Sequence, residues 1–193
     1  MKLTYGLLVA AAVGVVTLQA QGAKPAPVPS AQARPAQPTP GAGPVIVVET
    51  TKGTFEFETY PNEAPRTVEH ILALVKRNFY NGLRFHRVET GFVIQVGDPN
   101  SRDYTKKDLW GTGGSGKPVG LSELSRKHLH DKGAVAMAHS GNPALADAQW
   151  YVTLNAVHRL DGKYVVFGQV INGIEVTTQI RVGDVIRKMY VKP

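Results

Sequence analysis

The spacing of apolar positions changes character several times along the chain. Residues 6–18, GLLVAAAVGVVTL, form an uncharged apolar stretch of 13 residues, shorter than the roughly 20 that a helix needs to cross a bilayer. Lys2 precedes it and the small residues Ala20, Gly22 and Ala23 follow. The pattern predicts an export signal over residues 1–23, or a membrane anchor where it is not cleaved. Residues 24–44 have no period and hold seven prolines, which predicts a disordered, polyproline-biased linker. A strand-like run, Val45–Val48, then opens a domain over residues 45–193. It faces the alternating Phe55-Glu56-Phe57-Glu58 across Thr50–Gly53, which predicts a hairpin. After Pro65, the residues Val68, Ile71, Leu72 and Val75 share one helical face. Short β-type runs follow at Leu83–Val88, Phe92–Val96, Ala134–Ala138, Trp150–Leu154, Tyr164–Val170 and Val185–Val191, with a second helix over Ile174–Ile180. Many short strands with one or two helices predict a mainly β fold, a closed barrel or a sandwich.

Composition narrows the function classes. The 193 residues include no cysteine, which excludes a disulfide scaffold, a thiol nucleophile and thiolate metal sites, and suits an exported chain. The net charge is +7, but Lys2, Lys24 and Arg34 precede residue 45 with no acidic residue, leaving 19 basic against 15 acidic residues in the domain. The basic pairs Lys76-Arg77, Lys106-Lys107, Arg126-Lys127 and Arg187-Lys188 are scattered, not gathered on one stripe, so no nucleic-acid partner is expected.

Four segments invite a chemical reading. Gly111-Thr112-Gly113-Gly114-Ser115-Gly116-Lys117 fills the first seven places of a phosphate-binding loop, but Pro118 stands where Ser or Thr must hold magnesium; a flexible surface loop is expected. His128, His130 and Asp131 have near-ligand spacing, yet Arg126, Lys127 and Lys132 would repel a cation, so surface histidines and no metal are expected. Ser140-Gly141 lacks the first glycine of a nucleophile elbow. Finally, period-2 alternation puts Arg87 on the side of Phe85, a charge among half-buried residues. It is either a structural ion-pair partner or a functional group, and the residues alone leave both open.

Phe85-His86-Arg87-Val88, Gly91-Phe92, Gln95 and Gly97-Asp98 resemble the signature of the cyclophilin-type peptidyl-prolyl cis–trans isomerases. The resemblance continues in order through Gly111–Gly114, Ala136–Gly141, Asp147–Tyr151 and Leu160–Gly168, covering residue 45 to about 192. Among family members, the short chain with its export signal is most similar to the bacterial ones. The resemblance implies a closed eight-stranded antiparallel β-barrel capped by two α-helices, no cofactor, and rotation about X–Pro bonds of exported proteins in the periplasm or outside the cell. It implies Arg87 as the catalytic residue, and His86, Phe92, Val93, Gln95, Met137, Ala138, His139, Gln149, Tyr151, Leu160 and Tyr164 around the substrate. Proline-containing polypeptides are the implied partners, with the protein acting as a monomer and meeting the membrane only through an uncleaved residue 1–23 segment. Three positions depart from common family residues: Val93 for methionine, Val96 for glycine and Arg159 for tryptophan. A second class, a module that grips prolyl segments without dependence on turnover, makes the same use of the pocket but does not need Arg87. A membrane-anchored scaffold with a secondary isomerase site is the third.

Overall fold

A computed structural model describes residues 43–193; the expected signal (1–23) and linker (24–44), except its last two residues, lie outside them. Eight antiparallel strands follow in chain order: β1 (Val45–Thr50), β2 (Gly53–Thr59), β3 (Arg87–Glu89), β4 (Val93–Val96), β5 (Ala134–Met137), β6 (Trp150–Thr153), β7 (Val166–Asn172) and β8 (Ile186–Val191). Their order across the sheet is β3-β4-β6-β5-β7-β2-β1-β8. The β1–β2 hairpin forms where alternation put it, closing on Thr50↔Gly53.

The expected closure takes a different form. β3 and β8 end the sheet and share no ladder. The curl is joined instead by an isolated bridge between Arg84 and Val185 and by backbone bonds such as Ile186 N–H to the Leu83 carbonyl (2.8 Å) and Phe85 N–H to the Asp184 carbonyl (2.9 Å). The molecule is a curled sheet, not a continuous barrel. The expected strand over Leu83–Val88 is correspondingly short, beginning only at Arg87.

The concave side holds the main core. Phe55, Phe57, Phe85, Ile94, Val96, Met137, Trp150 and Phe167 are buried there. Helix α1 (Pro65–Lys76) starts on its proline and contributes Val68, Ile71, Leu74 and Val75, covering this core against β8. Helix α2 (Ile174–Gln179) covers it against β2. On the opposite face of the central strands lies a smaller cluster of Tyr60, Val93, Ala134, Ala136, Tyr151 and Val166. Alternation along β4, β5 and β6 produces this division.

Gly97 fixes the end of β4 against β6. Its φ is +115°, and a Cβ there would approach the Ala148 carbonyl oxygen to 2.1 Å and Gln149 Cα to 2.6 Å. Both are backbone atoms that cannot move without breaking the ladder. Gly97→Ala is expected to cost at least about 2 kcal/mol, combining backbone strain and overpacking, read as the shift in urea unfolding midpoint. Wild-type stability in that variant would refute the constraint.

Candidate active site

A cavity of about 470 Å³ opens on the face of the smaller cluster. Sheet register builds its floor. Arg87 lies opposite Gln95 and Gln95 opposite Tyr151, so three strands contribute one lining residue each to a single cross-strand row; Ala136 of β5, opposite Tyr151, continues the row outside the lining. Val93, one alternation along β4, and Ala138, just beyond β5, extend the same face. Phe92 and Leu160 supply the apolar wall; His139, Gln149 and Tyr164 complete the rim among the sequence-derived positions.

Two of those positions fall elsewhere. Met137 is fully buried in the main core, because it is one residue out of phase with Ala136 and Ala138 along β5. His86 is outside the lining, half-buried beneath Gly111, whose Cβ position lies 3.4 Å from its ring. Burial holds the His86 imidazole below its ordinary value, so it is neutral at pH 7.

Arg87 itself is exposed, unlike fully buried Phe85. The alternation argument failed here because Phe85 precedes β3, so no common pleat relates the two residues. Two guanidinium nitrogens of Arg87, Nε (2.9 Å) and Nη2 (2.5 Å), donate to Glu89 Oε1, and Nη1 donates to Gln95 Oε1 (3.1 Å). A guanidinium has five N–H donors, so two remain. Gln95 Nε2 in turn donates to Gln149 Oε1 (2.9 Å), and Gln149 Nε2 donates to the carbonyls of Gly111 (2.9 Å) and Gly113 (2.8 Å). The guanidinium thus ends a hydrogen-bonded line crossing the cavity.

The glycine-rich run is not the free loop expected from its sequence. Asp98 Oδ2 accepts the N–H groups of Gly111 (2.5 Å) and Gly113 (3.1 Å). Asp147 accepts from Ser115 Oγ (2.5 Å) and Gly116 N–H (2.9 Å). A Cβ at Gly113 would stand 2.3 Å from Asp98 Oδ1, so only glycine permits this approach. Gly111–Gly114, Ser140 and Leu145 line the cavity, and sequence reasoning assigned them no role there.

His130 also departs from expectation. It is not a surface group: it has no exposed area, with Nδ1 2.8 Å from Asp161 Oδ1 and Nε2 2.9 Å from the Tyr151 hydroxyl. Burial lowers its pKa more than the Asp161 carboxylate raises it, so the ring is neutral. Nδ1–H therefore donates to Asp161, and Nε2 accepts the Tyr151 hydroxyl proton. Burial pushes the Tyr151 phenol up, so that proton stays. Burial also pushes the Asp161 carboxyl up, but the hydrogen bonds from the His130 backbone and ring and from His158 outweigh it and hold the group below the usual carboxylate range. This chain fixes the tyrosine whose edge packs on Tyr164, ring centroids 5.8 Å apart.

Comparison with known proteins gives one consistent result. The profile of the family described as cyclophilin type peptidyl-prolyl cis-trans isomerase/CLD matches residues 45–192. The chain is 36% identical over 138 residues to peptidyl-prolyl cis-trans isomerase B of Bacillus subtilis, covering 72% of this chain and 90% of that protein. It is 33% identical to a peptidyl-prolyl cis-trans isomerase of Helicobacter pylori, covering 74% and 83%. Among solved structures, a Cryptosporidium parvum cyclophilin type peptidyl-prolyl cis-trans isomerase superposes with TM-score 0.68 at 24% identity, over 78% of this chain and 98% of that one. The same protein solved in the presence of the dipeptide Ala-Pro gives 0.67 at 24% identity, covering 77% and 99%. These structural likenesses speak to the fold.

Two outcomes follow from the buried network. Tyr151→Phe leaves the His130 Nε2 acceptor without its donor and is expected to cost about 1–3 kcal/mol in urea unfolding; an unchanged midpoint would contradict the assigned bond. Native His86 and His130 both have depressed pKa values, so the unfolded chain binds protons first as pH falls through about 6.5. Stability therefore falls from pH 7 toward pH 5, by up to about 1.4 kcal/mol per pH unit for each such group. NMR titration of His130 above 6.5 would reverse that sign.

Proposed function

The chain belongs to the cyclophilin-type peptidyl-prolyl cis–trans isomerases, and from that membership we propose that Arg87 catalyses rotation about X–Pro bonds in the cavity described. The observation that carries the proposal is the guanidinium held on three N–H groups, with two left over, beside an apolar wall.

Rotation about a peptide bond meets a barrier of about 18–20 kcal/mol because the nitrogen lone pair is conjugated with the carbonyl. Unaided X–Pro isomerisation takes tens to hundreds of seconds. No bond breaks and no proton moves. As the amide twists, the prolyl nitrogen regains its lone pair and becomes an acceptor. A free N–H of Arg87 donates to that nitrogen, a contact that strengthens only in the twisted state and so lowers the barrier. Arginine suits the role because its charge and donor geometry are fixed.

Phe92, Val93, Tyr151 and Leu160 hold the proline ring, so that one side of the rotating bond is anchored. The His130–Asp161 chain keeps Tyr151 from turning with it. Gln95, Gln149 and the rim at Ala138 and His139 hold the flanking peptide, with Tyr164 behind His139 at 4.4 Å between ring centroids. The Ala-Pro dipeptide used with the structural relative is the smallest unit of such a substrate. His86 and Met137 support the wall from behind and do not touch substrate.

The substrates we propose are proline-containing segments of exported proteins, met in the periplasm or outside the cell. The apolar stretch at residues 6–18 behind Lys2 and the absence of cysteine support this placement. Sizing of the mature chain and mass measurement of its N-terminus test it: a monomer beginning near residue 21 or 23 is expected, and retention of residues 1–23 would favour the anchored form.

Loss of one charge-assisted hydrogen bond of about 1.5–3 kcal/mol corresponds to about ten- to hundredfold in rate. Arg87→Ala is expected to lose that much kcat/KM in a coupled X–Pro isomerisation assay with an unchanged circular dichroism spectrum. Arg87→Lys is not expected to restore it, since an ammonium lacks the fork. Full turnover in Arg87→Ala would move the reading to a prolyl-segment binding module.

A further inference from the structure

We infer that Arg159 selects X–Pro segments carrying a carboxylate beside the proline, an inference that rests on the isomerase reading of the same cavity. Arg159 occupies the 3₁₀ turn His158–Leu160. The turn has two outputs: Leu160 lines the cavity, while Arg159 lays its guanidinium carbon 4.5 Å from the centroid of the Phe92 ring. Phe92 lines the cavity, and Arg159, outside the lining itself, stands exposed beside that ring.

The electrostatic surroundings decide what this group does. Every carboxylate around the site is already engaged. Glu89 is held by Arg87, Asp161 by His130 and His158, Asp98 by the glycine loop and Asp147 by Ser115 and Gly116. Arg159 has no carboxylate partner among the described residues, and residues 1–42 contain no Asp or Glu. Of the two guanidinium groups beside Phe92, Arg87 at 5.6 Å is neutralised and Arg159 is not.

A cation with no carboxylate in contact with it attracts a carboxylate and repels an ammonium. In an extended peptide, successive residues advance by about 3.3–3.6 Å. A side chain one or two positions from a proline seated against Phe92 therefore comes level with Arg159. The ring also fixes the guanidinium by a cation–π contact, so less freedom is lost when it pairs. The substrate class is acidic: prolyl segments with Asp or Glu next to the proline.

The experiment uses capped five-residue peptides with a central proline, in which one flanking residue is Glu, Gln or Lys. Isomerisation of each is followed by NMR exchange with wild-type protein, Arg159→Gln and Arg159→Lys. An exposed charge pair typically changes affinity about two- to fivefold, so kcat/KM for the Glu peptide is expected to exceed that for the Gln peptide by that factor. The Lys peptide should fall below both. The ratio should shrink in 1 M salt, where the Debye length is about 3 Å. It should persist in Arg159→Lys and approach one in Arg159→Gln. A Glu-to-Gln ratio near one in the wild type overturns the inference, as does an unchanged ratio in Arg159→Gln. Turnover of the Gln peptide reports on the isomerase reading separately. Where no peptide is turned over, dissociation constants of the same peptides from chemical-shift titration decide the charge preference by the same criteria.

Discussion

The pleat of three strands divides the main core from the face on which the cavity opens. Along β4, β5 and β6, residues Ile94, Val96, Val135, Met137, Trp150 and Val152 point into the main core, and Val93, Ala134, Ala136 and Tyr151 point away from it. The row Arg87, Gln95, Tyr151 and Ala136 is set by direct pairing. With neighbouring strands about 4.8 Å apart, the part of that row lining the cavity, Arg87 to Tyr151, spans about 10 Å. The parallel row Val96, Trp150 and Met137 faces the core. A slip of one residue exchanges the two rows. Trp150, fully buried between Phe57 and Tyr80 at centroid distances of 5.7 and 6.2 Å, prevents that slip: losing such an indole from a core costs about 3–5 kcal/mol.

A second constraint ties the glycine-rich loop to that row. In a phosphate-binding loop, successive backbone N–H groups converge on an anion supplied by the ligand. Here the anions belong to the protein. Asp98 is fully buried, and its two oxygens accept N–H groups from Asn100, Gly111 and Gly113. Asp147 takes Gly116 and Ser115. With its donors turned inward, the loop presents the carbonyls of Gly111 and Gly113 to Gln149. Gln149 has a donor and an acceptor end, as does Gln95, so the sequence carbonyl, Gln149, Gln95, Arg87 has a single consistent direction. The position of the guanidinium is thus fixed directly by Glu89 and, through two amides, by the loop that Asp98 and Asp147 hold.

How much of this was legible in the chain depends on the range of the interaction. Local periods sufficed for α1, where Val68, Ile71 and Val75 are buried as spaced, although Leu74 goes deeper than Leu72. They sufficed for the β1–β2 hairpin as well. They failed at Arg87, since Phe85 lies outside β3, which begins only at Arg87, and alternation holds only within a strand. The ordered family motif located that arginine. At Met137 the reverse holds: the motif brought it into the site, and alternation of small Ala134, Ala136 and Ala138 with larger Val135 and Met137 was a local signal for which face had to leave room. His130 was hidden because its partner, Asp161, is 31 residues away. Neighbouring cations made His130 look like a surface residue, and only the sheet brings it under Tyr151. The joining of the curl was more remote still, resting on bonds between residues 82–85 and 183–186.

The two arginines beside Phe92 show why pairing is a functional variable. A bare guanidinium at Arg87 would bind the carbonyl of a planar X–Pro bond as readily as a twisted one, and equal binding of ground and transition states leaves kcat where it was. Glu89 and Gln95 occupy three of its donors and much of its field, leaving directed N–H groups instead of a diffuse charge. Those two N–H groups need an acceptor in a particular place, and the prolyl nitrogen becomes one only on twisting. Arg159 has the opposite company: an aromatic face and no carboxylate. Its field is not directional and does not change as the amide rotates, so the preference proposed for it concerns which peptide arrives, not the rotation itself. On the two readings proposed, the carboxylate beside the first arginine makes it sensitive to geometry. Its absence beside the second makes that residue sensitive to charge.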